Sequence, residues 1–89
     1  MSWKVDFSPK AEKQVKKLDA AQRAAIYRWL YKNIDGCENP RAFGHALTGN
    51  LGGLWRYRVG KYRVICELQD DRLVVLALEV GHRSQVYDR

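Results

Sequence analysis

Apolar and charged residues alternate on both sides of a glycine, and this pattern constrains the fold more than any other feature of the chain. Between residues 55 and 66 the alternation runs up to Gly60-Lys61 and resumes after it. A period of two is typical of a β-strand with one buried face. Gly60 tolerates the positive φ that the first central position of a type II′ turn needs. The stretch therefore predicts a β-hairpin with a two-residue turn.

The turn length also predicts which residues of the hairpin lie opposite each other. The expected pairs are Val59 with Tyr62, Arg58 with Arg63, Tyr57 with Val64, and Arg56 with Ile65. Because opposed residues of an antiparallel pair point to the same face, one face is apolar and the other carries three arginines. One interpretation is that these are long-stemmed residues on a solvated surface. We favour anion binding, since opposed like charges destabilise a sheet and a polyanion would relieve that cost.

The composition sets limits on size, partners and location. The 89 residues, 46% of them hydrophobic, predict a single domain over residues 1–89 with its own core. A net charge of +6 favours an anionic partner such as nucleic acid, an acidic protein or a membrane surface. No apolar run approaches the roughly 18 residues of a membrane span, and no secretory signal is evident, so we expect a cytoplasmic protein. Cys37 and Cys66 lack metal-ligand spacing, and we expect neither a metal nor a cofactor.

The first third of the chain predicts a strand and two helices. Residues 3–7 alternate as a short strand, after which Ser8-Pro9 supplies an N-cap and a first helical residue. Asp19 with Gln22 resembles a capping box for a second helix, and Asp35-Gly36 ends that helix. The apolar residues that mark the buried faces of these helices are Ala11, Val15 and Leu18 in the first, and Ile26, Trp29, Leu30 and Ile34 in the second.

Residues 37–53 predict a loop, because Asn39-Pro40 and several glycines interrupt any periodic structure. A helical turn around residues 41–46 is compatible with this loop. His45 lies within it, and we interpret it as a surface residue.

Residues 73–80 form a near-continuous apolar run that predicts a central strand, ended by Gly81. A three-residue loop before this strand would place Ala77 and Glu79 on the arginine face, whereas a two-residue loop would place Leu76 and Leu78 there. We favour the first arrangement because it buries the larger residues and gives the arginines a carboxylate neighbour.

The predicted fold is α+β, in the order strand, helix, helix, three antiparallel strands, with the helical hairpin on one face of a small sheet. The other face is expected to be open and lined by arginines. His82, Arg83 and Tyr87 follow the last strand. We therefore expect a basic cleft formed by Arg56, Arg58, Arg63, His82, Arg83 and Tyr87.

The sequence resembles a RelE-type toxin of the RelE/ParE superfamily from bacterial type II toxin–antitoxin modules, over nearly its whole length. The matching stretches are residues 7–11, 16–18, 47–51 and 54–64, then Val80-Gly81-His82-Arg83 and Val86-Tyr87. The terminal stretches favour the RelE branch.

This resemblance implies an endonuclease that cleaves mRNA in the ribosomal A site through attack by the RNA 2′-hydroxyl, without a metal. It also implies a cognate antitoxin that covers or distorts the site, in a complex that binds its own operator through the antitoxin. The family's basic residues map to Arg56, Arg58, Arg63 and Arg83, and its terminal aromatic residue maps to Tyr87.

Such cleavage needs a base, a cation near the phosphate and an acid. Arg63 and Arg83 suit the phosphate, because guanidinium stays charged and binds two oxygens at once. Some relatives carry lysine where this chain has Arg56 and Arg58, and arginine is not a base in proteins. The base is therefore expected to be Tyr87, His82 or Glu79, while Arg56 and Arg58 bind RNA.

Other interpretations remain open at this point. The surface with Lys10, Lys13 and Lys17 is a candidate for RNA backbone contact, or else a solvated helix face. The protein as a whole could instead be a gyrase inhibitor of the ParE branch or a non-catalytic RNA-binding module.

Overall fold

Two capped helices pack against one face of a five-stranded sheet in the computed structural model, which describes residues 2–82. The elements in chain order are β1 Lys4–Phe7, α1 Pro9–Lys16, α2 Ala20–Asn33, β2 His45–Ala46, β3 Trp55–Val59, β4 Tyr62–Gln69 and β5 Val74–His82. The strand order across the sheet is β1-β5-β4-β3-β2, with β1 parallel to β5 and the other pairs antiparallel. The α+β class and the order of the predicted elements are confirmed.

The predicted caps begin both helices. The Ser8 hydroxyl accepts a hydrogen bond from the Ala11 amide at 3.1 Å, and the Asp19 carboxylate accepts one from the Gln22 amide at 2.9 Å. The side chain of Gln22 does not complete a capping box. Its oxygen accepts a hydrogen bond from the Tyr62 hydroxyl at 2.6 Å, so it joins α2 to β4.

The hairpin of β3 and β4 has the predicted register. Its pairs include Val59 with Tyr62, Arg58 with Arg63, Tyr57 with Val64, and Arg56 with Ile65. The apolar face of the hairpin packs under the helices, as expected. The buried core residues are Trp3 before β1, then Ala11, Val15, Ile26, Leu30 and Ile34 from the helical segment, and Tyr57, Val64, Cys66, Val75, Ala77 and Val80 from the sheet.

A β-bulge changes the facing of side chains along β5. Glu79 pairs with Ile65 but Ala77 pairs with Cys66, so Leu78 is the extra residue. An extra residue reverses the alternation of side chains beyond it. Glu79 therefore lies on the arginine face, as predicted, whereas the prediction for Ala77 is wrong.

The ends of β5 also differ from the prediction. The strand starts at Val74, after a turn in which Leu73 has a φ of 54°. It continues through Gly81, which pairs with Arg63 in β4, so the prediction that Gly81 ends the strand is wrong. The hydrogen-bonding partner supplied by β4 outweighs the weak intrinsic strand preference of glycine.

The segment between α2 and β3 holds more structure than a loop. It contains short 3-10 turns at Pro40–Ala42 and Gly49–Leu51 and the two-residue strand β2. The Tyr57 hydroxyl donates to the Pro40 carbonyl at 2.7 Å, which attaches the first turn to the core. None of the helices within residues 2–82 is long and apolar enough to cross a membrane.

Candidate anion-binding site

Three arginines share the sheet face that points away from the helices. Arg58 and Arg63 are directly opposite each other, and Arg56 is paired with Ile65. Arg58 is exposed and Arg56 is half-buried, but Arg63 is only 4% exposed. The sequence predicted an open face lined by arginines, but only part of this face is accessible. Arg63 and Ile65 of the central strand β4 are buried. Arg58 is therefore the accessible cation of this pair and Arg63 is the buried one.

Glu79 brings a carboxylate to the same face. Arg63 pairs with Gly81, two residues beyond Glu79, so Glu79 is the diagonal neighbour of Arg63. Such neighbours have Cβ atoms about 7–8 Å apart, within reach of long side chains. The Glu79 side chain is 18% exposed, and its Oε1 lies 3.6 Å from Nζ of Lys10. The site therefore combines several cations with a carboxylate beside Arg63.

His82 lies on the opposite face of the sheet from the arginines. It pairs with Tyr62, whose hydroxyl contacts Gln22 of α2. The His82 and Tyr62 rings meet edge to face, with centroids 5.9 Å apart. The prediction that His82 converges with the arginines is wrong, because β5 continues past Gly81 and alternation turns His82 toward the helices. Arg83 and Tyr87, the other terminal residues of the predicted cleft, lie outside the described residues.

The predicted lysine surface is a groove along α1. Lys10, Lys13 and Lys17 lie with Pro9 and Gln14 around an open cavity of about 470 Å³. Oε1 of Gln14 accepts a hydrogen bond from the Val80 amide at 2.7 Å, which holds this helix against β5. The lysine groove therefore borders the strand that carries Glu79, and Lys10 connects the two regions.

His45 is exposed, as interpreted from the sequence, and the structure also places it beside the arginines. The short strand β2 pairs His45 with Arg56, so both side chains point to the same face. A two-residue strand has no periodicity that sequence analysis can detect. The preceding Gly44, whose φ is 77°, is the one local signal.

Metal ligands are not grouped in the described part of the chain. Among residues 2–82, no three His, Cys, Asp or Glu side chains are arranged so that they could hold a metal ion.

Comparison with known proteins identifies similar toxins. The family described as the ParE toxin of the type II toxin–antitoxin system, parDE, matches residues 5–87. Toxin RelG from Mycobacterium tuberculosis is 28% identical over 89 residues, covering 100% of both chains. A chain in the crystal structure of the toxin–antitoxin complex RelBE2 from M. tuberculosis has a TM-score of 0.84 and 26% identity, covering 93% of this chain and 100% of that one. A free E. coli RelE mutant with two arginines replaced by alanine has a TM-score of 0.75 and 26% identity, covering 98% and 92%.

Proposed function

The chain belongs to the ParE toxin family of type II toxin–antitoxin systems, and we propose that it is a ribosome-dependent mRNA endonuclease of the RelE type. It would cleave mRNA in the ribosomal A site and so inhibit translation. The similarity to toxin RelG and to E. coli toxin RelE supports this assignment within the family.

The observation that carries the proposal is the pair of opposed arginines. Arg58 and Arg63 occupy facing positions of one hairpin, with Arg63 almost fully buried. Opposed like charges carry a cost in a sheet. Guanidinium groups bind phosphate oxygens in a bidentate manner. A phosphodiester at this position would turn the repulsion into attraction, which is the form of charge stabilisation that phosphate cleavage requires.

The proposed reaction is an internal displacement at phosphorus. The 2′-oxygen of the RNA attacks the adjacent phosphate, its proton goes to a base, and the bond from phosphorus to the 5′-oxygen breaks. The departing 5′-oxygen takes a proton from an acid, and a cyclic phosphate remains. No step of this sequence requires a metal ion.

The residues of the chain take the following roles in the proposal. Arg63 and Arg83 bind the reacting phosphate, and Glu79 is the base, since it lies diagonally beside Arg63 whereas His82 lies on the other face. Tyr87 stacks on a nucleobase of the RNA or contacts the reacting oxygen. Arg56 and Arg58 hold the RNA.

The lysine groove would extend the binding surface along an RNA backbone. Removing one cation that binds a phosphate should reduce the slope of log affinity against log salt by about 0.7–0.9. Lys13→Ala tests this role, and Lys16→Ala is the matched control because Lys16 pairs with Glu12 of the same helix at 3.6 Å.

A cognate antitoxin is the expected protein partner. Similar structures include toxin–antitoxin complexes, among them RelBE2 of M. tuberculosis. We infer that the antitoxin covers the arginine face in the cytoplasm and that the complex binds its own operator through the antitoxin.

Gyrase inhibition is the second candidate function, and the match to the ParE toxin family favours it. It requires no phosphate-cleaving site. His82 belongs to a terminal stretch that favoured the RelE branch, and it lies on the opposite face of the sheet from the arginines.

Brief expression in bacteria, followed by mapping of new mRNA 5′ ends, separates these functions. Breaks within translated codons support the nuclease, and their loss when ribosomes are omitted from a purified system supports ribosome dependence. A DNA-damage response with intact mRNA supports gyrase inhibition. If neither effect is observed, the remaining interpretation is a non-catalytic RNA-binding module. Cleavage that persists in EDTA supports a metal-independent reaction.

A further inference from the structure

An exposed aromatic ring lies beside the arginine face. Phe43 is 41% exposed, one of the two large hydrophobic side chains that are exposed among the described residues. Its ring meets Trp29 edge to face, with centroids 5.8 Å apart, and Trp29 packs in turn on the buried Tyr57 at 5.5 Å. Phe43 therefore packs on a cluster of aromatic side chains and is still partly exposed to solvent.

The backbone around Phe43 is held rigidly. Nε1 of Trp55 donates a hydrogen bond to the Phe43 carbonyl at 2.7 Å. The next residue, Gly44, has a φ of 77° and lies so close to the Arg56 carbonyl that no side chain fits there. His45, the next residue in the chain, pairs with Arg56 of β3. These interactions hold an exposed aromatic ring in one place before any ligand arrives.

A pocket of about 250 Å³ opens beside Phe43, at the end of the sheet formed by β2 and β3. Its lining is part aromatic and part cationic, and consists of Trp29, Phe43, Gly44, His45, Arg56 and Arg58. Single-stranded nucleic acids are bound by this combination, since bases stack on aromatic rings while cations bind the phosphates. Arg58 and Arg56 are shared with the arginine face, so the pocket continues the proposed phosphate site.

We propose that this pocket is a nucleobase site, which holds one base of a single-stranded RNA by stacking on Phe43. The identification of the ligand as RNA rests on the proposed function. The arginines on the pocket wall favour a nucleotide over an apolar antitoxin segment, because burying guanidinium groups under apolar side chains costs free energy unless they are paired.

A fluorescent trinucleotide tests the proposal directly. The probe carries 2-aminopurine and 2′-O-methyl groups, so that stacking quenches its fluorescence and cleavage is blocked. The proteins are the wild type, Phe43→Ala, Phe43→Leu and the control Tyr31→Ala. Tyr31 is 49% exposed and stacks on Tyr27, which contacts Phe7 of β1. That strand is at the opposite edge of the sheet from β2.

We expect quenching with the wild type and with Tyr31→Ala. Phe43→Ala should weaken binding roughly 5- to 150-fold, the range expected when one base stack is removed. The affinity of Phe43→Leu should lie between those of the wild type and Phe43→Ala, because leucine keeps apolar contact but lacks a ring. A trinucleotide with an abasic site should bind the wild type weakly and be insensitive to Phe43→Ala. Phe43→Leu also carries the test if Phe43→Ala does not fold.

Three results would overturn the nucleobase site. The first is an absence of quenching with the wild type, and the second is binding by Phe43→Ala within twofold of the wild type. The third is a loss of affinity in Phe43→Ala that is as large for the abasic probe as for the intact trinucleotide. Weaker binding of the cognate antitoxin by Phe43→Ala, with unchanged trinucleotide binding, would assign the pocket to the antitoxin. If the protein binds the trinucleotide through Phe43 but does not cleave mRNA, only the nuclease function is rejected. If the protein cleaves mRNA and Phe43→Ala binds the trinucleotide as the wild type does, only this nucleobase site is rejected.

Discussion

Glu79 is the diagonal neighbour of Arg63 on one face of the sheet, because Arg63 pairs with Gly81, two residues farther along β5. Lys10 approaches the same carboxylate from α1, at 3.6 Å. A base for the RNA 2′-hydroxyl must lie near the cations that bind the phosphate. Glu79 and Glu67 both lie on that face, and Glu79 is the carboxylate that is diagonal to Arg63.

Glu79→Gln should therefore lower the rate of mRNA cleavage by roughly 10²- to 10⁴-fold, the usual contribution of general acid–base catalysis. The measurement is single-turnover cleavage on programmed ribosomes. Glu12→Gln is the control, since Glu12 is an exposed carboxylate of α1 that pairs with Lys16 at 3.6 Å. His82→Ala and Tyr87→Phe complete the series. A full loss in His82→Ala with normal Glu79→Gln would give the base role to His82.

Arg58→Ala should separate stability from activity. Removing one of two directly opposed cations relieves repulsion, so the free energy of unfolding should stay constant or rise by about 0.2–1 kcal/mol. Cleavage should fall because the variant lacks one of the cations that bind the RNA. Urea unfolding and the cleavage assay measure the two effects, with the exposed Arg28 of α2 replaced by alanine as control. A clear loss of stability in Arg58→Ala would argue against repulsion in the free protein.

Tyr57 should make the fold sensitive to alkali. Burial raises the pKa of its phenol, whose proton is donated to the Pro40 carbonyl. The folded state thus holds this proton more tightly than the unfolded state, and the stabilisation is present below about pH 10 and lost as the pH rises above it. Tyr57→Phe should cost about 1 kcal/mol at neutral pH and should make the decline above pH 10 less steep. Parallel stability curves for the two proteins in urea titrations would contradict this.

Gly44 and Gly36 form a matched pair for measuring close packing beside β2. Their φ angles are 77° and 83°, so alanine carries a similar backbone strain of about 1–2 kcal/mol at either site. A Cβ at Gly36 meets open space, whereas one at Gly44 collides with the Arg56 carbonyl. Gly44→Ala should therefore lower the free energy of unfolding more than Gly36→Ala does, and should shift the His45 signals in NMR spectra. Equal losses would mean that β2 moves away at little cost.

Local patterns were sufficient for the helices and the central hairpin. The Ser8 and Asp19 caps bond within three residues along the chain, and the turn at Gly60-Lys61 sets the register of its own strands. Such interactions depend only on neighbouring residues, so they can be predicted from sequence. The opposed arginines Arg58 and Arg63 followed from them.

Long-range packing decided the rest of the site. The bulge at Leu78 depends on how β5 meets β4, and it places Glu79 with the arginines and Ala77 in the core. The continuation of β5 to His82, and the pairing of His45 with Arg56, likewise depend on strands distant in the chain. The sequence alone thus determined the caps, the hairpin and its charged face, because those are local choices. Only the tertiary structure decided that His45 joins that face and that His82 lies opposite it, because both placements depend on pairing between strands far apart in the chain.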